Sequence, residues 1–177
     1  LSIRRQRQMC IRDRDWTTAV QVTDGVGPRE AIEGASSWHP ALDLIHTDGD
    51  SCGQPVYSMA NGKVVSIGGV ANQVWIQAGD GAQIGYLHMH PGDVIVQEGQ
   101  EVKAGQLIGK IGTEPPSSGC HLDLRIDTST ATATEVKNLP QLTEASVCPT
   151  CVNPDDYAKL YGMNLTGSLL DGGIEHP

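Results

Sequence analysis

The chain has 177 residues, with 12 Lys+Arg against 21 Asp+Glu and a formal net charge of −9. That length suits one domain able to bury a core without a metal or disulfide to hold it. The acidic balance argues against a nucleic-acid partner, which needs a basic stripe, and no apolar run approaches the roughly 20 residues of a membrane span.

The first fourteen residues, LSIRRQRQMCIRDR, hold Arg4, Arg5, Arg7, Arg12 and Arg14 against the single acid Asp13. The run lacks the apolar stretch of a secretory signal. It resembles read-through of a sequencing adaptor more than a targeting arm, so 1–14 is set aside as a non-native leader. The domain proper is expected over 16–161.

From Trp16 to about Asp127, short apolar runs alternate with Gly and Asp. Residues 54–60, 63–67, 73–78, 83–89, 93–96, 106–111 and 121–126 are rich in Val, Ile and Tyr with partial period-2 alternation, and read as strands. Asn61-Gly62, Gly79-Asp80-Gly81 and Pro91-Gly92-Asp93 supply turn chemistry between them. No stretch holds helical periodicity over three turns. The expected fold class is all-β: an antiparallel sandwich or flattened barrel of the barrel-sandwich type, with a short C-terminal helix. Residues 128–147 read as an insertion loop. Asn153-Pro154-Asp155-Asp156 before YAKLY has a cap, a Pro at the first helical position and acids in the first turn, which start the helix. The Gly-rich stretch 162–177 is expected to be a loosely held tail.

Residues 97–111, QEGQEVKAGQLIGKI, place Gly99 and Gly105 where tight turns need positive φ. Such hairpins also build lipoyl- and biotinyl-carrier domains. A carrier needs a modifiable Lys at a hairpin tip, and neither Lys63 nor Lys103 has that setting.

The chemistry concentrates in three short segments. His39 and Asp43 stand four apart in HPALD; His88 and His90 alternate in YLHMH; His121 and Asp123 alternate in HLDL and so share one strand face. Neutral imidazoles with carboxylates make the usual shell of a catalytic zinc. Each pair alone is ordinary surface spacing, whereas three pairs in one small β domain are a pattern. His46 and His176 have no partner at useful spacing and read as solvated. Trp38 reads as packing beside the cleft.

In order, the chain carries VTDGVGPR (22–29), HPALDL (39–44), PVYSMANGKVVSIG (55–68), GYLHM (85–89), VQEGQEVKAGQLIGKIG (96–112), SSGCHLDLRI (117–126) and VNPDDY (152–157). This series resembles the lysostaphin-type zinc metallopeptidases, which cut peptide cross-links in bacterial cell walls. The resemblance implies one Zn2+ ion held by His39, Asp43 and a third ligand, with His88 and His121 as catalytic histidines. It also implies that Tyr86 contacts substrate. The third ligand in that family is the second His of His-x-His, and here the position is Asp123. Three readings follow. Asp123 ligates through a carboxylate oxygen, in a shell that also suits harder metals such as Mn. Alternatively, His121 or His90 turns in to replace it. Or the metal site has decayed, leaving a domain that binds wall peptides or an amidase partner.

Outside the leader there are four cysteines, Cys52, Cys120, Cys148 and Cys151. Spacing alone allows three pairings. The resemblance puts Cys52 and Cys120 beside the metal cleft and so favours Cys52–Cys120 with Cys148–Cys151. A redox or half-zinc role for Cys148-Pro149-Thr150-Cys151 has no second pair and no βαβ pattern to support it. Oxidised cysteines imply an extracellular or periplasmic location. The functional expectation is a zinc endopeptidase acting on peptidoglycan peptides; the alternative is a catalytically degenerate wall-binding or amidase-regulating domain.

Overall fold

The computed structural model describes residues 20–30, 35–46, 50–163 and 165. The leader 1–14, His176 and most of the 162–177 tail lie outside them. The strands are β1 (Val20–Asp24), β2 (Gly27–Pro28), β3 (Trp38–His39), β4 (Leu42–His46), β5 (Pro55–Tyr57), β6 (Gly62–Gly68), β7 (Gln73–Ala78), β8 (Gln83–Leu87), β9 (Glu101–Val102), β10 (Leu107–Lys110), β11 (Leu122–Asp127) and β12 (Cys151–Val152). Two short helices follow the main sheet, α1 (Thr134–Lys137) and α2 (Pro154–Leu160). The protein is all-β and antiparallel, as its alternation and turn chemistry imply.

One open sheet runs in the order β1-β4-β11-β8-β7-β6-β9, with β12 added to β11. β5 pairs with β10, and β2 with β3, in two small satellites. Alternation divides the large sheet into two faces. Val74, Ile76, Ile84, Tyr86, Leu124 and Ile126 point into the core, each at most 4 % exposed. Val56 of β5 and Ile108 of β10 belong to the same apolar cluster. On the opposite face, register aligns Asp43, Asp123 and Leu87 in one row and Arg125, Gly85 and Trp75 in the next.

Gly85 explains the second row. A Cβ there would stand 2.7 Å from the Trp75 ring. Glycine therefore lets the indole lie across the strand, where its Nε1 donates to Gln73 Oε1 at 2.7 Å.

Several segments differ from the pattern in the sequence. Residues 93–96 make no strand, because Pro91 starts a single 3-10 turn over Pro91–Asp93, in which Asp93 N–H donates to His90, and Ile95 N–H alone reaches across to β10, at the Ile108 carbonyl. β8 stops at Leu87 because His88 takes φ +74. β1 and β4 form although composition did not mark them. Gly99 and Gly105 do take positive φ, +83 and +76. The 128–147 segment holds α1, with Val136 and Ala145 fully buried.

Helix α2 starts as its sequence requires: the Asn153 side chain accepts a bond from Asp155 N–H. It is tied to the β7–β8 turn by the Tyr157 and Tyr161 hydroxyls, both donating to Asp80 Oδ2. Of the tail, Met163 and Leu165 are buried, and Leu165 N–H donates to Asp155 Oδ1 at 2.8 Å.

Candidate active site

The polar face of the sheet forms the floor of a cleft of about 680 Å³, lined among others by Asp24, Arg29, Asp43, His88, His121 and Asp123. Three elements deliver the donors. His39 closes β3, Asp43 sits on β4 directly opposite Asp123 of β11, and Asp123 also faces Leu87 of β8. His88 follows Leu87, and its positive φ carries the ring off the strand towards the cleft. A non-glycine residue held there costs about 1–3 kcal/mol, which is tolerated where the surroundings demand the geometry.

The three histidines share one orientation. His39 Nδ1 is 3.0 Å from the Gly25 carbonyl, His88 Nδ1 is 2.6 Å from that of Glu114, and His121 Nδ1 is 2.9 Å from that of Gly119. A carbonyl can only accept, so each Nδ1 donates and each ring turns its Nε2 inward. The Nε2 atoms converge on two carboxylates. His39 Nε2 is 3.2 Å from Asp43 Oδ1 and 3.6 Å from Asp123 Oδ2. His121 Nε2 is 3.5 Å from Asp43 Oδ1, and His88 Nε2 is 3.9 Å from Asp123 Oδ2. The His88 and His121 ring centres are 4.8 Å apart.

His39 Nε2 and Asp43 Oδ1 are buried with no hydrogen-bond partner. Two orphaned atoms aimed at each other fit a shared cation, because buried polar atoms are otherwise nearly always paired. Donors bound at about 2.0–2.1 Å on a tetrahedron stand about 3.3–3.4 Å apart, close to the 3.2 and 3.6 Å seen around His39 Nε2. The donor set of one imidazole and two carboxylate oxygens therefore fits zinc.

Charge is balanced around these donors. Burial opposes a charged His39, but Asp123 and Asp43 outweigh it and raise the ring to about 9 in the metal-free chain. Burial drives His88 the other way, below the usual imidazole value, which keeps it neutral near pH 7. Burial pushes Asp123 up, yet His39 and Arg125 outweigh it and hold the carboxyl well below the usual range.

Other expected residues lie elsewhere. Tyr86 does not line the cleft: it is 1 % exposed and its hydroxyl accepts a bond from Met59 N–H inside the core. Burial pushes that phenol up. A substrate contact by Tyr86 is therefore replaced by a core role, because β8 alternation turns it away from the floor. His90 is engaged at both nitrogens, by Glu114 Oε2 at 3.1 Å and by Thr113 N–H at 3.3 Å, so it supplies no ligand. His46 is 7 % exposed on β4, not solvated. Trp38 Nε1 donates to Glu144 Oε2.

Three site residues were not singled out from the sequence. Asp24 lies 3.5 Å from His39 Nδ1 and pairs with Arg29 at 3.1 Å; Asp24, His39 and Asp43 offer donor atoms within 4.8 Å of one another. Because His39 Nδ1 serves Gly25, Asp24 flanks the site on its outer side. Arg125 grips Asp123 through Nε–Oδ1 at 2.9 Å and Nη2–Oδ2 at 2.8 Å. Its place two residues after Asp123, on the same face, was the available signal.

Disulfides join Cys52 to Cys120, with Cα atoms 5.1 Å apart, and Cys148 to Cys151, 5.3 Å apart. The first fixes the residue just before His121. It also rules out Asp50, Cys52 and Cys120 as a second metal cluster, because bonded sulfurs cannot ligate.

Comparison with known proteins agrees with this fold. Residues 39–135 match the model of peptidase family M23, and the chain belongs to that family. It is 38 % identical over 80 residues to lipoprotein NlpD of Yersinia enterocolitica, covering 42 % of this chain and 80 % of that one. Its fold is similar to the catalytic domain of the antimicrobial peptidase lysostaphin from Staphylococcus simulans: TM-score 0.61, 24 % identity, 82 % of this chain and 96 % of that one. A zinc containing peptidase from Vibrio cholerae aligns with TM-score 0.50 and 30 % identity over 60 % of this chain and 32 % of that one. Among the described residues no helix is long and apolar enough to cross a membrane.

Proposed function

We propose that this chain is a zinc-dependent endopeptidase that hydrolyses peptide cross-links of bacterial peptidoglycan outside the cytosol. The observation that carries the reading is the common orientation of His39, His88 and His121, each turned by a backbone carbonyl so that its Nε2 faces Asp43, Asp123 or, for His39, both. His39 Nε2, Asp43 Oδ1 and Asp123 Oδ2 would hold the metal. Bound zinc polarises a carbonyl and lowers the pKa of a water towards 7.

The chain's own residues supply the rest. His88, neutral and fixed through Glu114, accepts a proton at Nε2 and can return it to the leaving amine. His121 Nε2, 3.5 Å from Asp43 Oδ1, can donate as an imidazolium to negative charge developing on the scissile carbonyl. The cleft floor of Trp75 and Leu87 gives an extended peptide an apolar bed. Two disulfides suit an oxidising compartment, and the acidic chain suits a wall substrate more than a nucleic acid.

One observation favours a second reading: Arg125 occupies both oxygens of Asp123. If that pair excludes metal, the cleft binds wall peptides or a protein partner without cutting them. The test is digestion of purified peptidoglycan, with released fragments identified by mass spectrometry. Hydrolysis predicts new amino termini with zinc, none after chelation, and recovery on adding zinc back. Sedimentation with the wall but no new termini would leave the binding reading.

A further inference from the structure

Asp123 is the most constrained carboxylate in the cleft. It is 2 % exposed, and among the described residues Arg125 is the one permanent cation within 4 Å of it. The geometry points to Arg125 as the positioning residue that makes Asp123 a usable metal ligand. This inference rests on the zinc reading above.

The argument compares the two carboxylates. Asp43 turns Oδ2 outward, 3.8 Å from Arg29 Nη1, and leaves Oδ1 inward and unpaired. That residue divides its oxygens between counter-charge and site. Asp123 cannot, because its side chain rises from β11 beside Arg125 on the same face. The planar guanidinium takes Oδ1 through Nε and Oδ2 through Nη2, which fixes the plane of the carboxylate. In that plane Oδ2 faces His39 Nε2 at 3.6 Å and His88 Nε2 at 3.9 Å. A carboxylate oxygen has two lone pairs, so Oδ2 can accept from Arg125 and still face a cation.

Charge gives the second half. Two ionised carboxylates beside one imidazole repel each other in a buried site. Arg125 cancels one of them at 2.8 Å, with its own side chain only 15 % exposed. Its cross-strand neighbour is Gly85, under the Trp75 ring, so the guanidinium lies in a walled part of the floor where the fork is held in place. Removing it leaves Asp123 without the fork that orients it and with His39 as its one remaining counter-charge within 4 Å among the described residues. Outer partners of metal ligands of this kind are worth about 10- to 100-fold in metal affinity.

The test is zinc titration by calorimetry on metal-stripped protein, with thermal melts to establish folding. Five chains are compared: wild type, Arg125→Gln, Arg125→Lys, Asp123→His, and Asp123→His with Arg125→Gln. Arg125→Gln should weaken zinc binding by about 10- to 100-fold. Arg125→Lys should recover only part, since it restores the charge but not the fork. In the Asp123→His background, Arg125→Gln should cost nothing or tighten binding, because an imidazole needs no guanidinium to orient it. A merely structural Arg125 would give equal losses in both backgrounds, and that result overturns the proposal, as does unchanged or tighter binding by Arg125→Gln alone. Should Arg125→Gln fail to fold, Arg125→Lys carries the comparison, and wild-type affinity there overturns it. A wild type that binds no zinc sinks the zinc reading itself, whereas wild-type binding with indifferent Arg125 variants sinks only this inference.

Discussion

His39 Nε2 stands 3.2 Å from Asp43 Oδ1, and neither atom has a hydrogen bond, although both are buried. In the metal-free chain the two ionised carboxylates beside His39 keep its ring protonated near pH 7. Zinc binding must expel that proton. On the zinc reading, metal and proton would compete for the same atoms.

The first prediction concerns proton release. Burial opposes the charged ring, but Asp123 and Asp43 raise His39 from 6.5 to about 9. A raised folded value means that the imidazolium stabilises the metal-free chain fully below pH 6.5 and that this stability is lost as pH rises through about 9. Zinc binding should therefore release about one proton at pH 7.5, and affinity should climb between pH 6.5 and 9. Calorimetry in two buffers of different ionisation enthalpy measures it; identical heats would contradict the protonated pair.

The second concerns His88. Asn tolerates its positive φ, so His88→Asn should fold and keep zinc. Loss of the proton acceptor should lower kcat by about 10²- to 10⁴-fold. Steady-state cleavage of a wall peptide, paired with zinc titration, separates the two effects. A variant that keeps full kcat would remove His88 from catalysis.

The third concerns the long disulfide. Cys52 and Cys120 are 68 residues apart, and closing a loop of that size stabilises by about 4 kcal/mol in the chain-entropy account. Cys148 and Cys151 are 3 apart and contribute about 2 kcal/mol on the same basis. Denaturant unfolding of Cys52→Ser/Cys120→Ser should lose clearly more stability than Cys148→Ser/Cys151→Ser. The reverse order would show that native-state packing, not loop closure, sets the effect.

The fourth concerns Gly85. A Cβ 2.7 Å from the Trp75 ring forces that ring to move, so Gly85→Ala should destabilise by about 1–3 kcal/mol and shift Trp fluorescence. Unchanged stability and emission would mean the indole is free to leave the floor.

Much of this was legible in the chain. HPALD, YLHM and HLDL announce donors, and His121 and Asp123 do share a face as period-2 alternation requires. The resemblance misled at Tyr86, which stands two residues before His88 and would share its face on a continuous strand. The positive φ of His88 breaks the strand and sends its ring to the cleft, while Tyr86 stays in the core. No composition rule marks a left-handed His. Arg125 was visible in LDLRI but silent, because an i, i+2 pair gains meaning only once burial shows that Asp123 has no other permanent counter-charge. His46 reads as polar in sequence, yet β4 lies between β1 and β11 and is covered on both sides of its backbone.

The most direct measurement is the zinc content of purified, zinc-equilibrated protein by elemental analysis, for wild type and His39→Ala. The account predicts one zinc per wild-type chain and none in His39→Ala, because the variant deletes the orphaned Nε2 at the centre of the donor set. A wild type without zinc, or a His39→Ala chain that keeps it, would contradict the account.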